Sequence, residues 1–172
     1  MKALKIILII TLSLAFMGCG ILWQRYNSQE YGFSIFLPRL WYKEEGRYAT
    51  VIMARSSQRG PKDRYLENIN VVASYAPQGM SLTTYFEINK NDIFEKMPGE
   101  EFDVKQGEVF AGGTPGIWLS FSTKTKVITL RVLSAVWIKG DRAYVVTCSA
   151  DDAQFPEYEP IFKKAIQSIR FK

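Results

Sequence analysis

The sequence of 172 residues contains no histidine and only two cysteines, Cys19 and Cys148. Without histidine, the Ser-His-Asp and Cys-His arrangements of hydrolases and the commonest zinc sites are excluded. The adjacent carboxylates, such as Glu44-Glu45 and Asp151-Asp152, lack the ligand spacing of a calcium loop and are typical of solvated loops. We therefore predict a protein that is not an enzyme, with no catalytic residues, no metal site and no cofactor.

The second cysteine lies within an apolar run that predicts a strand, Tyr144 to Cys148. A free cysteine in such a run is typical of a small buried side chain. Its use as a nucleophile is disfavoured because the chain offers no histidine as a base. If Cys19 carries a lipid, no intramolecular disulfide remains available, so stability must come from packing.

The N-terminus has the features of a bacterial export signal. Lys2 and Lys5 precede an apolar run from Ile6 to Phe16, and Met17-Gly18-Cys19 follows. Phe16 to Cys19 resembles the lipobox of bacterial lipoproteins, in which a small residue precedes the cysteine that is diacylated. This resemblance predicts a signal peptide over residues 1–18, a palmitate-type lipid anchor on Cys19, a short tether up to residue 30 and a domain over residues 31–172.

An uncleaved anchor is the main alternative, because the apolar character continues to Trp23 and residues 6–23 approach the roughly 20 that span a bilayer. Simple secretion and a buried helix are further alternatives. The lysines before the apolar run keep the N-terminus in the cytoplasm, so the domain is expected to be membrane-anchored and extracytoplasmic. By resemblance to lipoprotein sorting rules, Gly20 points to the periplasmic face of the outer membrane in a Gram-negative cell, and otherwise to the cell surface.

Length and charge limit the remaining possibilities. About 150 residues beyond the signal are enough for one compact domain and too few for two. The net charge is +5, and removal of Lys2 and Lys5 would leave 20 basic and 17 acidic residues, a charge of +3. Because the sequence shows no clustered basic stripe, nucleic acid is not predicted as a partner.

Apolar periodicity predicts mostly strands. Alternation marks strands near residues 31–38, 48–54, 67–75, 107–111, 117–122, 127–139 and 142–150. Helical spacing follows Ser81, a plausible N-cap, up to Met97, and recurs from Pro160 onward. Residues 41–46 are expected to form a turn, residues 56–64 a loop, and residues 100–106 a loop or an edge strand. Gly112-Gly113 and Gly140-Asp141 are predicted to form tight turns between strands. The strands over 127–150 are apolar on both faces, which favours an antiparallel α+β layered fold with these strands in the centre.

The stretch Tyr31-Gly32-Phe33-Ser34-Ile35-Phe36-Leu37-Pro38, with Trp41 shortly after it, resembles the opening pattern of PsbP-like domains. The segment Arg142 to Thr147 and a helix ending at Phe171 are similar to the close of that superfamily. The resemblance implies an α-β-α sandwich around a mainly antiparallel sheet in a single domain. The superfamily contains photosystem II extrinsic proteins, a Ran-binding factor and many bacterial lipoproteins, which are generally binding modules. The resemblance therefore implies no catalytic residues.

Loop cations and aromatic side chains are the candidate contacts for a partner. We single out seven residues, in the predicted loops and near the end of the first strand: Trp41, Tyr42, Arg59, Lys62, Arg64, Lys124 and Lys126. The cations suit anionic lipid or an acidic partner, although loop charge often serves solubility alone. Together with Trp118, Trp41 and Tyr42 could line a groove, although aromatic residues at such positions often belong to the core.

Two functions remain open at this point. The first is a membrane-anchored binding or assembly module for an envelope protein partner, which requires an exposed apolar patch of several hundred Å². The alternative is a carrier or sensor of a small apolar or envelope ligand, which requires a cavity of about 300 to 1,000 Å³ between sheet and helix. The sequence leaves the partner's identity and the oligomeric state open.

Overall fold

A computed structural model describes residues 21–61, 63–96 and 100–172. The predicted signal peptide, Cys19, Lys62 and Met97 lie outside the described residues. The described elements, in chain order, are β1 (Trp23–Ser28), β2 (Phe33–Pro38), β3 (Tyr42–Glu45), β4 (Ile52–Arg55), β5 (Asn68–Tyr75), α1 (Leu82–Lys96), β6 (Glu100–Ala111), β7 (Thr114–Lys124), β8 (Thr129–Lys139), β9 (Arg142–Asp151), α2 (Phe155–Ser168) and β10 (Arg170–Phe171).

Seven of these strands form one antiparallel sheet in the order β3-β4-β5-β9-β8-β7-β6. The pairs β6–β7 and β8–β9 are joined by tight turns of two residues, at the positions predicted from the sequence. Gly112 and Gly113 connect β6 to β7 with φ of 61° and 76°, and Gly140 begins the turn from β8 to β9 with φ of 62°. Positive φ is accessible to glycine at little cost, which explains why these dipeptides mark the turns.

The other three strands form a smaller antiparallel sheet in the order β1-β2-β10. The prediction of a tether up to residue 30 is therefore wrong for residues 23–28, because this segment pairs along its whole length with β2. The sequence signal was weak, since Gln24, Arg25 and Asn27 are polar and exposed, as suits an edge strand. Trp23 and Tyr26 nevertheless pack against the core, so the domain begins close to Cys19.

The two helices lie on opposite faces of the seven-stranded sheet, which confirms the predicted α+β sandwich. Alternation along β8 directs Leu133, Ala135 and Trp137 towards α2 and the small sheet. Val132 and Val136, on the other face of β8, belong to the cluster that includes Phe86 of α1. The prediction of central strands covered on both faces is confirmed, and the α2 face carries the larger set of buried side chains.

Several predicted boundaries differ from the structure, including the end of the last helix, because α2 ends at Ser168 and Arg170 and Phe171 form β10. Residues 42–45, within the predicted turn, form β3, because the edge of the large sheet supplies a ladder that local sequence does not reveal. The separate segments predicted over residues 100–111 form the single strand β6, with an irregular register between Phe102 and Lys105. Helix α2 begins at Phe155 instead of Pro160, since Pro156 fits the first turn, where no backbone donor is needed.

The N-cap prediction at Ser81 is confirmed, because its Oγ accepts a hydrogen bond of 3.1 Å from the backbone N–H of Thr84. Neither α1 nor α2, the helices of the described part of the chain, has the length and apolar character needed to cross a bilayer.

Candidate functional site

A cleft of about 660 Å³ lies between α2 and the strands β6, β7 and β8. Its apolar walls are Val109, Trp118, Leu133, Phe155 and Ile166, and charged side chains surround them. The cleft exists because α2 and the small sheet together do not cover the whole width of the large sheet. A seven-stranded sheet is roughly 29 Å wide at about 4.8 Å per strand, whereas a helix is only about 10 Å across.

A glycine on the neighbouring strand leaves room for the indole of Trp118 in this cleft. Gly107 is the cross-strand partner of Trp118. A Cβ atom on Gly107 would lie 2.9 Å from the indole Nε1, closer than such atoms approach. The absence of a side chain on β6 therefore allows the indole to lie across that strand, half-buried. Of the three aromatic residues considered for a groove, Trp118 lines this cleft, whereas Trp41 and Tyr42 do not.

Ion pairs organise the charged rim of the cleft. Arg131 donates from Nε to Asp152 and from Nη1 to Asp103, each at 2.8 Å, and Lys105 lies 2.8 Å from the second oxygen of Asp103. Lys105 and then Arg131 lower the pKa of Asp103, and Arg131 lowers the pKa of Asp152. These carboxylates are therefore ionised at neutral pH. Apolar walls with a rim of paired charges suit an amphipathic ligand.

The predicted partner-binding residues that the structure describes lie at one end of the large sheet, spread from β3 to β7 across its width. The register places Tyr42, Arg55, Asn68 and Ser149 in one row across four strands. We call this the proximal end of the sheet, because Leu22, which is close in the chain to the predicted anchor, lies there. The backbone N–H of Arg39 donates to the carbonyl oxygen of Leu22 at 2.7 Å. The β4–β5 loop (residues 56–67) and the β7–β8 hairpin (residues 125–128) lie at the same end. The opposite, distal end carries Tyr75 and the Gly140 turn.

Two of the predicted residues contact α2, Trp41 from the core and Arg59 from the surface. Trp41 is half-buried, with its ring centroid 6.1 Å from that of Tyr158 and 6.5 Å from that of Phe162. Arg59 pairs with Glu157 at 2.8 Å and lies over the ring of Tyr158, 4.8 Å from its centroid. Both side chains attach the N-terminal part of α2 to neighbouring segments.

The other described predictions are exposed. Tyr42 is 60% exposed, with the Arg55 guanidinium 5.4 Å from its ring centroid. Arg64, Lys124 and Lys126 are exposed and make no ion pair with another described residue. Lys62 and Cys19 lie outside the described residues, so their roles remain predictions.

Sequence reasoning missed several exposed residues at the proximal end. Ile21 and Leu22 were assigned to the anchor or its flank, yet they directly precede β1 and are exposed. Leu40 is 79% exposed, and its neighbour Arg39 is also exposed. The available signal was an apolar residue next to a basic one directly after the strand-ending Pro38, a pattern too short to distinguish from a loop.

The described residues offer no cluster of metal-binding side chains and no exposed thiol. No group of three or more His, Cys, Asp or Glu side chains within residues 21–61, 63–96 and 100–172 could hold a metal ion. Cys148 is fully buried, which confirms that prediction, and burial raises the pKa of its thiol far above neutral pH.

Comparison with solved structures identifies the fold. The chain is similar to the cyanobacterial PsbP protein CyanoP from Synechocystis sp. PCC 6803, with a TM-score of 0.66 and 14% identity over 90% of this chain and 96% of that chain. It is also similar to LpqN, involved in cell envelope biogenesis of Mycobacterium tuberculosis, with a TM-score of 0.69 and 12% identity over 88% of this chain and 91% of that one.

A protein of unknown function from Pseudomonas aeruginosa, PA94, has a TM-score of 0.58 and 14% identity over 85% of this chain and 94% of that chain. No family model and no curated protein sequence matches the chain. At these identities the likeness shows the fold alone, which is PsbP-like, as the opening and closing patterns of the sequence implied.

Proposed function

We propose that the protein is a membrane-anchored, extracytoplasmic module that acts by binding and not by catalysis, and that it holds its ligand in the cleft between α2 and strands β6–β8. The cleft is the observation that carries the proposal. Its volume of about 660 Å³ is within the range of ligand sites, and it lies between sheet and helix, where a carrier or sensor requires it.

The ligand that fits this cleft is a small amphipathic molecule. Its apolar part would pack on Trp118, Leu133 and Phe155, and its polar part would meet the charges around Arg131. Aromatic and aliphatic walls favour apolar contact, while the rim favours one orientation of a polar head group. The similarity to LpqN, which is involved in cell envelope biogenesis, is in keeping with an envelope ligand by analogy of fold.

An envelope protein partner is the second candidate function. The exposed apolar and aromatic side chains at the proximal end, including Leu40 and Tyr42, favour it. Other exposed aromatic residues, such as Tyr75 and Phe110, lie on different segments. Because they do not all share one surface, the apolar area that a stable protein interface requires is less evident than the cleft.

The anchor is tested by the intact mass and membrane partitioning of the full-length protein beside a Cys19→Ala variant. A diacylated chain beginning at Cys19 is expected for the natural sequence, and a variant that retains its signal segment for Cys19→Ala. If the natural chain stays unprocessed and remains membrane-bound whatever residue occupies position 19, the lipid anchor is refuted and the uncleaved anchor takes its place.

The cleft is tested in the full-length protein, reconstituted in lipid nanodiscs, with a soluble single-chain amphiphile that carries bromine on its tail. Bromine quenches tryptophan fluorescence at short range, so saturable quenching is expected and should be lost in Trp118→Phe but kept in Trp41→Phe. Ser120, which lines the cleft, provides a blocking variant, Ser120→Phe. We expect it to weaken binding by about tenfold or more, since it fills the space that the tail needs.

Ser74→Phe is the matched control, because Ser74 is an exposed serine on β5 of the same sheet. Quenching that persists in Trp118→Phe, or that Ser120→Phe leaves unchanged, would place the amphiphile elsewhere. That outcome would remove the support for a ligand cleft and favour the protein partner.

A further inference from the structure

The start of β1 leaves almost no length between the proposed anchor and the folded domain. Trp23 is already paired with Pro38, and the Arg39 N–H holds the Leu22 carbonyl at 2.7 Å, so the backbone is fixed to the domain at residue 22. Only Gly20 and Ile21 lie between Cys19 and Leu22. The three residue steps from Cys19 to Leu22 span at most about 11 Å. A domain attached in this way cannot move far from the bilayer surface.

The attachment point also determines which surface lies nearest to the lipid. Leu22 lies at the proximal end, together with residues 39–42, the β4–β5 loop and the β7–β8 hairpin. These segments belong to distant parts of the chain, and only the strand register places them at the same end of the sheet. The anchor therefore directs this end, and not the distal end with Tyr75, towards the membrane.

The chemistry of the proximal end suits an anionic lipid surface. Leu40 and Val127 are large apolar side chains with exposed fractions of 79% and 68%. Exposed cations are close to them in the chain: Arg39 precedes Leu40, Lys126 precedes Val127 in the hairpin, and Lys124 is the last residue of β7. These cations have no ion-pair partner among the described residues. Apolar side chains that enter the head-group region, flanked by unpaired cations, are typical of interfacial membrane contacts.

We propose that the proximal end is a second membrane contact, at which Leu40 and the Lys124–Lys126 hairpin bind the head groups of anionic phospholipids. The proposal rests on the proposed anchor, since the anchor brings this end to the bilayer. The contact would hold the domain in one orientation. Among the acidic residues at the same end, Asp152 pairs with Arg131 and Glu157 pairs with Arg59. Asp63 accepts from the backbone N–H of Arg59, and Glu100 lies opposite Lys124 in the register of β6 and β7.

The orientation is tested with the full-length protein in vesicles, using a fluorophore on a single introduced cysteine. Leu40→Cys reports on the proximal end and Tyr75→Cys, 75% exposed in the natural chain, on the distal end. Cys148 is fully buried and does not compete for the label, and intact mass verifies that Cys19 is occupied by lipid. The vesicles contain phosphatidylcholine, with or without phosphatidylglycerol, and a phospholipid with a nitroxide quencher on its head group.

In vesicles with phosphatidylglycerol, we expect quenching at position 40 to exceed that at position 75 by about threefold or more, and to weaken as salt is added. The double variant Lys124→Glu/Lys126→Glu should remove most of this difference. The matched control Lys139→Glu/Lys172→Glu changes the same amount of charge at exposed distal positions and should leave it intact. Thermal unfolding of each variant verifies that the fold persists.

The possible failures are distinguishable. A chain that does not float with the vesicles refutes the anchor, and the bilayer contact with it. A chain that floats but shows equal quenching at positions 40 and 75 refutes the contact alone and means that the domain turns freely on its anchor. Unequal quenching that is insensitive to phosphatidylglycerol and to Lys124→Glu/Lys126→Glu also overturns the role of these cations and leaves them available for an acidic protein.

Discussion

The two faces of the seven-stranded sheet are covered in different ways. On one face, α2 and the sheet β1-β2-β10 enclose large side chains completely, among them Phe33, Trp137 and Phe162. On the other face, Phe86 is the one buried side chain among residues 82–95 of α1, and Tyr85 and Phe94 stay half-buried. The α2 face combines the dense core with the open cleft, so most of the core and the proposed ligand site lie on one side of the same sheet.

The difference between the faces predicts unequal costs of truncation. Phe162→Ala removes a fully buried ring that contacts Trp41, Phe155 and Tyr158, and should lower the free energy of unfolding by about 3 to 5 kcal/mol. Phe94→Ala on α1 removes a half-buried ring in edge contact with Phe121 and should cost about 1 to 2 kcal/mol. Denaturant unfolding of the two variants measures both values. Equal losses would contradict the assignment of the main core to the α2 face.

A second prediction distinguishes the closed part of the α2 face from its cleft. Gly116 and Gly107 both lie opposite a tryptophan of the neighbouring strand. A Cβ atom on Gly116 would meet the buried Trp137 indole and lie 2.6 Å from the Val136 carbonyl oxygen, so Gly116→Ala should cost about 1 to 3 kcal/mol. Gly107→Ala should cost less than about 1 kcal/mol, because Trp118 can shift into the cleft.

Thermal unfolding compares these two alanine variants under the same conditions. The fluorescence of Trp118 should change in Gly107→Ala, since its indole moves, while Gly116→Ala should disturb the core without changing the cleft's affinity for an amphiphile. If Gly107→Ala is as destabilising as Gly116→Ala, the cleft is not the open, adaptable region described above.

The smallest expected effect concerns the ion pairs at the rim of the cleft. The pKa of Asp103 and that of Asp152 are lowered in the folded protein, so their contribution to stability is present above the unfolded pKa and is lost as pH falls through the folded value. The loss should begin below about pH 4 and lower the Tm by only a few degrees, because these carboxylates are partly exposed. Arg131→Gln should remove the contribution of Asp152 and reduce that of Asp103, whose pKa Lys105 still lowers. Identical acid profiles for the two proteins would show that the pairs contribute nothing.

Secondary structure was predictable where side chains alternate strongly or where a turn needs glycine. The strands over 127–150, the Gly140 turn and the Ser81 cap could be identified because their signals are local. The strand β1 could not, since its polar residues resemble a tether and only the exposed backbone of β2 gives it a partner. Strand β3 escaped prediction for the same reason, because an edge strand depends on a ladder that a different part of the chain supplies.

The candidate sites were predictable only in part. Lys124, Lys126 and Arg64 were identified from charge in predicted loops, and the structure confirms their exposure but not their function. Trp41 has the same aromatic character as Tyr42, yet it packs on α2 while Tyr42 faces solvent. Exposure of this kind depends on which segment lies above a strand, and sequence periodicity carries no information about that.

The sequence by itself determined the α+β class, the strand-rich order of elements, the absence of histidine chemistry and the prediction of an exported, anchored chain, because composition and local periodicity suffice for these. Only the tertiary structure decided that residues 23–28 belong to the fold, that a cleft opens beside Trp118, and that Leu22, Leu40 and the Lys124–Lys126 hairpin share one end of the molecule. The reason is physical: strand register and helix placement bring together residues up to about a hundred positions apart, and such contacts leave no local pattern in the chain.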